Sequence, residues 1–268
     1  MQELFAHLPS WFGDALFLSL GASIGSFLGV VSCRLPEGLS IVTPPSYCRR
    51  CGHPIAWYDN IPFLGYLLTR GGCRRCGGHY SAGHLFFEIF TAFLTWIVWR
   101  RFDWSWELPG ALILVWSLTA ITVIDAREQI VPDAISLPGI GMGLFCSFFP
   151  GGVSPLDSFL GAAAGMGLLL AVRVIYARLR GREGMGGGDV KLLAMIGAFL
   201  GIKATMVALF AGSITGAVVG GSYLLLSRSS RHTPIPFGPF LALGAFLSLL
   251  DSEGIVRGYG SAVRWLVR

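Results

Sequence analysis

Gly184-Met185-Gly186-Gly187-Gly188-Asp189-Val190-Lys191 sets four glycines, one aspartate and one lysine between two long apolar runs. Ionisable groups placed in lipid-like surroundings are costly, and are functional candidates by default. The glycines around Asp189 let another backbone come close and tolerate a non-helical path that other residues resist. A second carboxylate in a similar setting is Asp125, at the end of the apolar run Ala111 to Ile124. The expectation is that these two carboxylates meet.

Composition agrees with that setting. The chain has 268 residues, of which 53% are hydrophobic and only 13% charged, whereas soluble domains carry roughly 25% charged residues. It reads as an integral membrane protein. The net charge of +5 would suggest nucleic acid in a soluble protein. Here the basic residues fall in short loops between apolar segments and read as topology signals, so no nucleic-acid partner is expected. The first apolar run, Trp11 to Cys33, follows a stretch with no Lys or Arg, unlike a secretory signal, and is expected to be a retained span.

Against the ~20 residues a helix needs to cross the hydrocarbon layer, the expected spans are about 11–33, 84–99, 109–125, 134–149, 156–176, 190–201, 204–226 and 237–250. The fold class is thus an all-α polytopic membrane protein of about eight transmembrane helices; seven is the alternative, because only Gly201, Ile202 and Lys203 split one pair. The expected divisions are a first helix (1–33), a loop domain (34–83), a transmembrane bundle (84–250) and a tail (251–268). With the N-terminus outside, thirteen basic residues face inward: Arg34, Arg49, Arg50, Arg70, Arg74, Arg75, Arg127, Arg178, Arg180, Arg182, Lys191, Arg228 and Arg231. Six face outward (Arg100, Arg101, Lys203, Arg257, Arg264 and Arg268) and Arg173 lies in a span. That bias places Asp125, Asp189 and the loop on the cytoplasmic side.

The loop is too small for a large core and needs a staple. Cys48-Arg49-Arg50-Cys51 and Cys73-Arg74-Arg75-Cys76 are two C-x-x-C knuckles 21 residues apart, one beyond the usual upper spacing for zinc. Four thiolates from two tight turns can close a tetrahedral site around Zn²⁺, and the interleaved arginines favour the thiolate form. A pair of disulfides is the alternative, disfavoured in a reducing compartment. Cys33 and Cys146, in apolar spans, read as small core residues.

Each remaining carboxylate has a plain reading as well. Asp133 follows Pro132 and opens an apolar run, as an N-cap does, and Asp189 could cap the helix that starts near Val190. Asp125 ends a span, where the helix dipole disfavours a negative charge. Glu88, inside the second span, is either a hydrogen-bond partner facing the bundle interior or part of a second site. Trp96, Trp99, Trp104 and Trp106 read as an aromatic belt. Two carboxylates brought together share a proton, so one can take a proton from water while the other donates to a carbonyl, which is aspartic-protease chemistry. No H-E-x-x-H or G-x-S-x-G motif offers another hydrolase.

Gly186-Gly-Gly-Asp189 matches the G-x-G-D signature of intramembrane aspartyl proteases, and the whole chain resembles the type IV prepilin leader peptidases. The matching pieces are Gly25-Ser-Phe-Leu-Gly-Val-Val-Ser-Cys-Arg-Leu-Pro36, the two cysteine knuckles, Asp59-Asn-Ile-Pro62, Arg70-Gly-Gly-Cys73, Asp125 with Ile-Val-Pro-Asp133, Gly188-Asp-Val-Lys191 and Ile235-Pro-Phe-Gly-Pro-Phe240. The resemblance implies a bacterial inner-membrane enzyme that cuts the short basic leader of prepilin and pseudopilin precursors at the cytoplasmic face, after a glycine. It implies Asp125 and Asp189 as the catalytic pair, and methylation of the new N-terminal residue by S-adenosylmethionine. Gly29 stands where the family commonly has asparagine, and Arg49 where a proline often follows the first cysteine. Gly186, Gly187, Gly188, Lys191 and Glu88 are the expected substrate-binding residues; Cys48, Cys51, Cys73 and Cys76 are the expected zinc ligands. Membrane lipid is an expected partner, and a homo-oligomer is left open. The alternatives are a polytopic transporter with intramembrane carboxylates and a zinc-loop docking module anchored by the bundle. Alanine at Gly165, inside a span, is expected to be silent.

Overall fold

The computed structural model describes residues 7, 9–79, 82–181, 184–226 and 236–266. Arg182, Arg228, Arg231 and Arg268 of the charge bias, and Ile235 of the Ile235–Phe240 motif, lie outside the described residues. Two units divide the chain, Met1–Leu108 and Pro109–Arg268. The first helix, the cysteine loop and the second helix, expected as parts of three divisions, thus fall in one unit.

In the first unit, α1 (Ser10–Arg34) packs against α3 (Ala82–Phe102), with a 3₁₀ turn (Trp57–Asn60) and the short α2 (Leu64–Thr69) in the loop between. Gly21, Gly25 and Gly29, four residues apart on α1, line this seam. A Cβ on Gly21 would lie 2.6 Å from Thr95 and 2.7 Å from the Ala92 backbone, and one on Gly25 would lie 2.9 Å from Glu88 Cα. Apolar burial drives little association between helices in lipid, so close backbone approach over small residues is what holds such a pair. At the other end of the seam Phe17 stacks on Trp99 at 4.4 Å, Trp104 meets the Trp99 edge at 4.8 Å, and Asp14 accepts from Trp96 Nε1 at 2.9 Å. Trp99, expected in an aromatic belt, is instead buried in this contact, its ring consumed by Phe17 and Gly13.

The second unit holds α4 (Leu108–Glu128, whose first residue closes the first unit), α5 (Asp133–Cys146), α6 (Pro155–Arg180), α7 (Gly187–Leu226) and α8 (Gly238–Leu266). Its centre is α7, which packs on α5, α6 and α8. From Val190 to Ala198 that helix is buried at nearly every position, and Leu192, Leu193, Met195 and Ile196 share a core with Leu114, Leu118 and Ile121 of α4 and Leu241 of α8. A helix apolar on all sides must be surrounded, so Asp189 sits at the mouth of the most enclosed segment of the unit. Glycines again set the spacing. Gly161 and Gly197 face each other, and Gly143 lies against Ala198. A Cβ on Gly165 would stand 2.7 Å from the Leu193 carbonyl oxygen. The expectation that alanine there is silent is therefore corrected, because the obstacle is helix backbone that cannot turn aside.

Gly201 interrupts α7 with φ 75° and ψ 175°, a conformation essentially restricted to glycine. Ile202 N–H restarts the helix by donating to Asp157 of α6 at 3.2 Å. The short Gly201-Ile202-Lys203 break read in the sequence is thus a real kink. Among the described residues, four helices are long and apolar enough to cross a membrane: Trp11–Arg34, Leu108–Glu128, Pro155–Arg180 and Gly187–Tyr223. Asp133–Cys146 is a shorter apolar helix. The chain is an all-helical membrane protein.

Candidate functional site

Asp125 lies on the last turn of α4, which ends when Gln129 takes a left-handed φ of 56° and donates its N–H to the Asp125 carbonyl. Only 5% of Asp125 is exposed. Its Oδ2 accepts the backbone N–H of Gly238, the first residue of α8, at 2.9 Å. Gly238 belongs to the Pro-Phe-Gly-Pro-Phe motif, to which the sequence assigned no role, and any side chain there would press on the carboxylate: a Cβ would fall 2.6 Å from Asp125 Oδ2.

Asp189 lies in the first turn of α7, two residues beyond its start at Gly187, so it is inside the helix rather than capping it. It is half-buried, and among the described residues its carboxylate has no hydrogen-bond partner. It lies within electrostatic reach of Asp125. The contacts of Val131 with Gly188 and of Asp133 with Lys191 hold the end of α4 and the start of α7 together, so the two carboxylates singled out in the sequence lie at one end of the unit.

The segment linking α4 to α5 seals this end of the unit. Val131 fills the place of a side chain at Gly188, where a Cβ would come within 2.7 Å of it. Asp133 does not cap its helix: Pro132 occupies the N-cap position, and the Asp133 carboxylate receives Lys191 Nζ at 2.6 and 2.8 Å. The N-cap reading of Asp133 is thus corrected. A cation presented by the neighbouring helix α7 takes the carboxylate in place of the backbone N–H groups of α5. The pair is exposed enough to add only about 0–1 kcal/mol, so its effect is on where the 130–133 segment lies. Lys191, expected to meet substrate, is engaged in this pair. Gly187 lies against Arg173 of α6, whereas Gly186 is exposed, with nothing but backbone of the same loop near the place of its Cβ.

Glu88 lies in the first unit on α3, where Oε2 accepts the backbone N–H of Phe63 at 3.1 Å. Phe63 has φ 60°, strained for a bulky residue, so Glu88 pins the loop to the helix at a strained point. Nearby, Asp59 takes the guanidinium of Arg74, with Nε 2.8 Å from each carboxylate oxygen, which joins the Asp59–Pro62 stretch to the second cysteine knuckle.

The two knuckles repeat one design, Cys-Arg-Arg-Cys-Gly. Cys48 N–H donates to His53 and Cys73 N–H to Gly78, and each turn closes through a glycine of positive φ, Gly52 at 70° and Gly77 at 64°. All four cysteines are free thiols and their sulfurs lie within 4.8 Å of one another. Cys48 and Cys76 Sγ are 3.7 Å apart, Cys51 and Cys73 Sγ 3.9 Å. A tetrahedral Zn–S₄ centre with bonds of about 2.3 Å has sulfur–sulfur edges of about 3.8 Å, so the donor set fits a metal ion. The electrostatics agree. Backbone N–H groups of Cys51 and Arg50 hold the Cys48 thiol below its ordinary range, and those of Cys76 and Arg75 bring Cys73 down to about 6. Cys51 is drawn down by the His53 backbone, but desolvation and the crowding of the other three sulfurs outweigh that and push it up to about 11. Such a cluster is one that a cation would relieve.

A helical membrane protein with two adjoining carboxylates at helix ends and a four-cysteine loop is the class that fold and site define. The sequence model of the Bacterial Peptidase A24 N-terminal domain matches residues 19–102, and that of the Type IV leader peptidase family matches residues 112–221, one in each unit. The prepilin leader peptidase/N-methyltransferase of Aeromonas salmonicida (strain A449) is 36% identical, covering 98% of this chain and 99% of its own. The protein of that name from Pseudomonas aeruginosa is 36% identical over 90% of this chain and 91% of its own, and that from Myxococcus xanthus is 40% identical over 85% and 68%. No solved structure matches the chain. This chain belongs to the type IV leader peptidase family.

Proposed function

We infer that this protein is a membrane-embedded endopeptidase that removes the short basic leader of type IV prepilins and pseudopilins and N-methylates the new N-terminus. The observation that carries the peptidase reading is the approach of Asp125 and Asp189. Asp189 is half-buried, makes no hydrogen bond among the described residues, and lies within electrostatic reach of the buried Asp125. That setting suits a pair that shares one proton and titrates as a unit. The ionised member takes a proton from water as the water attacks the scissile carbonyl, and the protonated member donates to the carbonyl oxygen; the proton taken from water then passes to the leaving amine as the C–N bond breaks, and the other carboxylate recovers its own from the diol. The comparisons give no support to a transporter.

The substrate's apolar helix lies in the membrane with its basic leader among anionic headgroups. The scissile peptide must leave helical geometry to expose its carbonyl, and it lies along the exposed Gly186, just before α7, as an added strand does. Gly188 serves this indirectly, by letting Val131 close over the start of α7. Because Gly186 has open space around it, Gly186→Val is expected to lower cleavage by at least tenfold while leaving detergent stability unchanged. Full activity would remove the glycine loop from the substrate path.

The cysteine cluster holds structural Zn²⁺, and S-adenosylmethionine supplies the methyl group. The enzyme spans the inner membrane about eight times, with the kink at Gly201 dividing two of the crossings and the site facing the cytoplasm. The protein carries about one Zn²⁺ per chain, and Cys48→Ser lowers that content and loosens the loop. Metal-free protein with all four cysteines in disulfides would refute this. Incubating detergent-solubilised protein with a precursor, then determining the product's N-terminus by mass spectrometry, tests both activities at once. Uncut precursor would overturn the peptidase reading, and a cut but unmethylated product the second activity alone.

A further inference from the structure

The first unit contains an open-sided cavity of about 470 Å³ between the last turns of α1 and the loop that returns beneath them, with Phe27 and Val42 at its exposed rim. Helix residues Ser26, Phe27, Val30 and Arg34 form one wall; Val42 and Asn60, from the 41–46 strap and the 60–62 stretch, face them. This space is within the roughly 300–1,000 Å³ range of sites for small ligands, and it lies in a different unit from Asp125 and Asp189.

The strap is held in place from within the cavity. Arg34 donates to the carbonyls of Ser40 at 3.1 Å, Pro44 at 2.8 Å and Pro45 at 3.5 Å. Ser40 Oγ accepts the N–H groups of Val42 and Thr43 at 3.2 and 3.1 Å. The three carbonyls take three of the five N–H donors of a guanidinium, leaving two to meet a carboxylate. The lining therefore combines one positive group fixed in position, an amide and a hydroxyl able to donate or accept, and apolar walls of Phe27, Val30 and Val42. That is the recognition chemistry of a nucleoside joined to an amino acid: a flat base for the apolar wall, ribose hydroxyls for the amide and hydroxyl, a carboxylate for Arg34.

We propose that this cavity is the binding site of the methyl donor, with Arg34 receiving its amino-acid carboxylate, and Asn60 and Ser26 meeting its nucleoside end. The proposal rests on the N-methyltransferase reading above. The donor supplies a methyl group to the substrate's terminal amine: the N–C bond forms, the C–S bond breaks with its electron pair going to sulfur, and the displaced proton leaves to water. The wall formed by α1 suits this transfer, because the acceptor amine is the first atom of a membrane helix and must be met at the membrane surface.

The test uses full-length protein in detergent with S-adenosylhomocysteine as the probe, its binding measured by calorimetry, alongside mass spectrometry of the processed product. Val30→Trp, which fills the cavity, is expected to weaken probe binding at least tenfold, and Asn60→Ala, away from the helix seam, several-fold. Both should yield cut but under-methylated product, with unchanged reactivity of Cys48, Cys51, Cys73 and Cys76 toward a thiol reagent reporting an intact first unit. Unchanged probe affinity in both variants, with wild-type protein binding the probe and methylating its product, would overturn the site and leave the methyltransferase reading standing. Loss of co-purified lipid from Val30→Trp with unchanged probe affinity would assign the cavity to an acyl chain and overturn the site equally. Wild-type protein that neither binds the probe nor methylates would bring down the underlying reading.

Discussion

Asp125→Asn and Asp189→Asn are each expected to lower cleavage of a basic-leader precursor by about 10³-fold or more, with insertion and detergent stability unchanged. Asparagine keeps the volume of the side chain, and at position 125 its carbonyl oxygen can still accept the Gly238 N–H now bonded to Asp125. What is lost is only the capacity to carry and exchange a proton. Since the two groups act as a unit, the double variant should be no worse than the weaker single one. Normal cleavage by either single variant, measured as the rate of leader release in detergent, would end the dyad mechanism.

The second large effect is expected at Gly238. Its N–H lies 2.9 Å from Asp125 Oδ2, and a methyl group in place of its hydrogen would come within 2.6 Å of the same oxygen. The carboxylate is the movable partner, so Gly238→Ala should fold normally and displace Asp125. A displacement on the order of 1 Å at a reacting group costs about 10²-fold in rate. The loss should fall on kcat rather than KM, because substrate contacts are untouched. Gly221→Ala, whose added methyl meets nothing within 4 Å, is the matched control. Wild-type kcat in Gly238→Ala would show that the position of Asp125 does not depend on this contact.

What could be read from sequence was whatever is written locally. Apolar runs located the helices, the C-x-x-C spacing located the cysteine cluster, and the setting of Asp125 and Asp189 marked them as out of place. The Gly201 break was visible because a glycine and, two residues on, the charged Lys203 interrupt otherwise continuous apolar sequence. Contacts made across helices were not legible. Nothing in Pro-Phe-Gly-Pro-Phe says that its glycine N–H meets an aspartate 113 residues away. Asp133 has the sequence of an N-cap, and its diversion to Lys191, 58 residues on, follows from tertiary placement alone. Gly165 and Gly188 show the same limit. Gly165 reads in sequence as a spare glycine and Gly188 as a substrate-binding one, yet each leaves room for one particular neighbour, Leu193 and Val131.

Two helices of the second unit are short. α5 has 14 residues, and the first part of α7, from Gly187 to the kink at Gly201, has matching length and packs directly on α5. At 1.5 Å per residue each is about 21 Å long, against a hydrocarbon layer of about 30 Å. Both helices begin at the carboxylate end, at Asp133 and Gly187. On the eight-span reading proposed above each crossing falls roughly 9 Å short of the layer, and a short crossing is met by a thinner bilayer or by water reaching its end, here the end that carries Asp125 and Asp189. Peptide hydrolysis consumes one water per bond. The short helices thereby solve a supply problem, bringing the aqueous phase to a reaction whose substrate is otherwise dissolved in lipid.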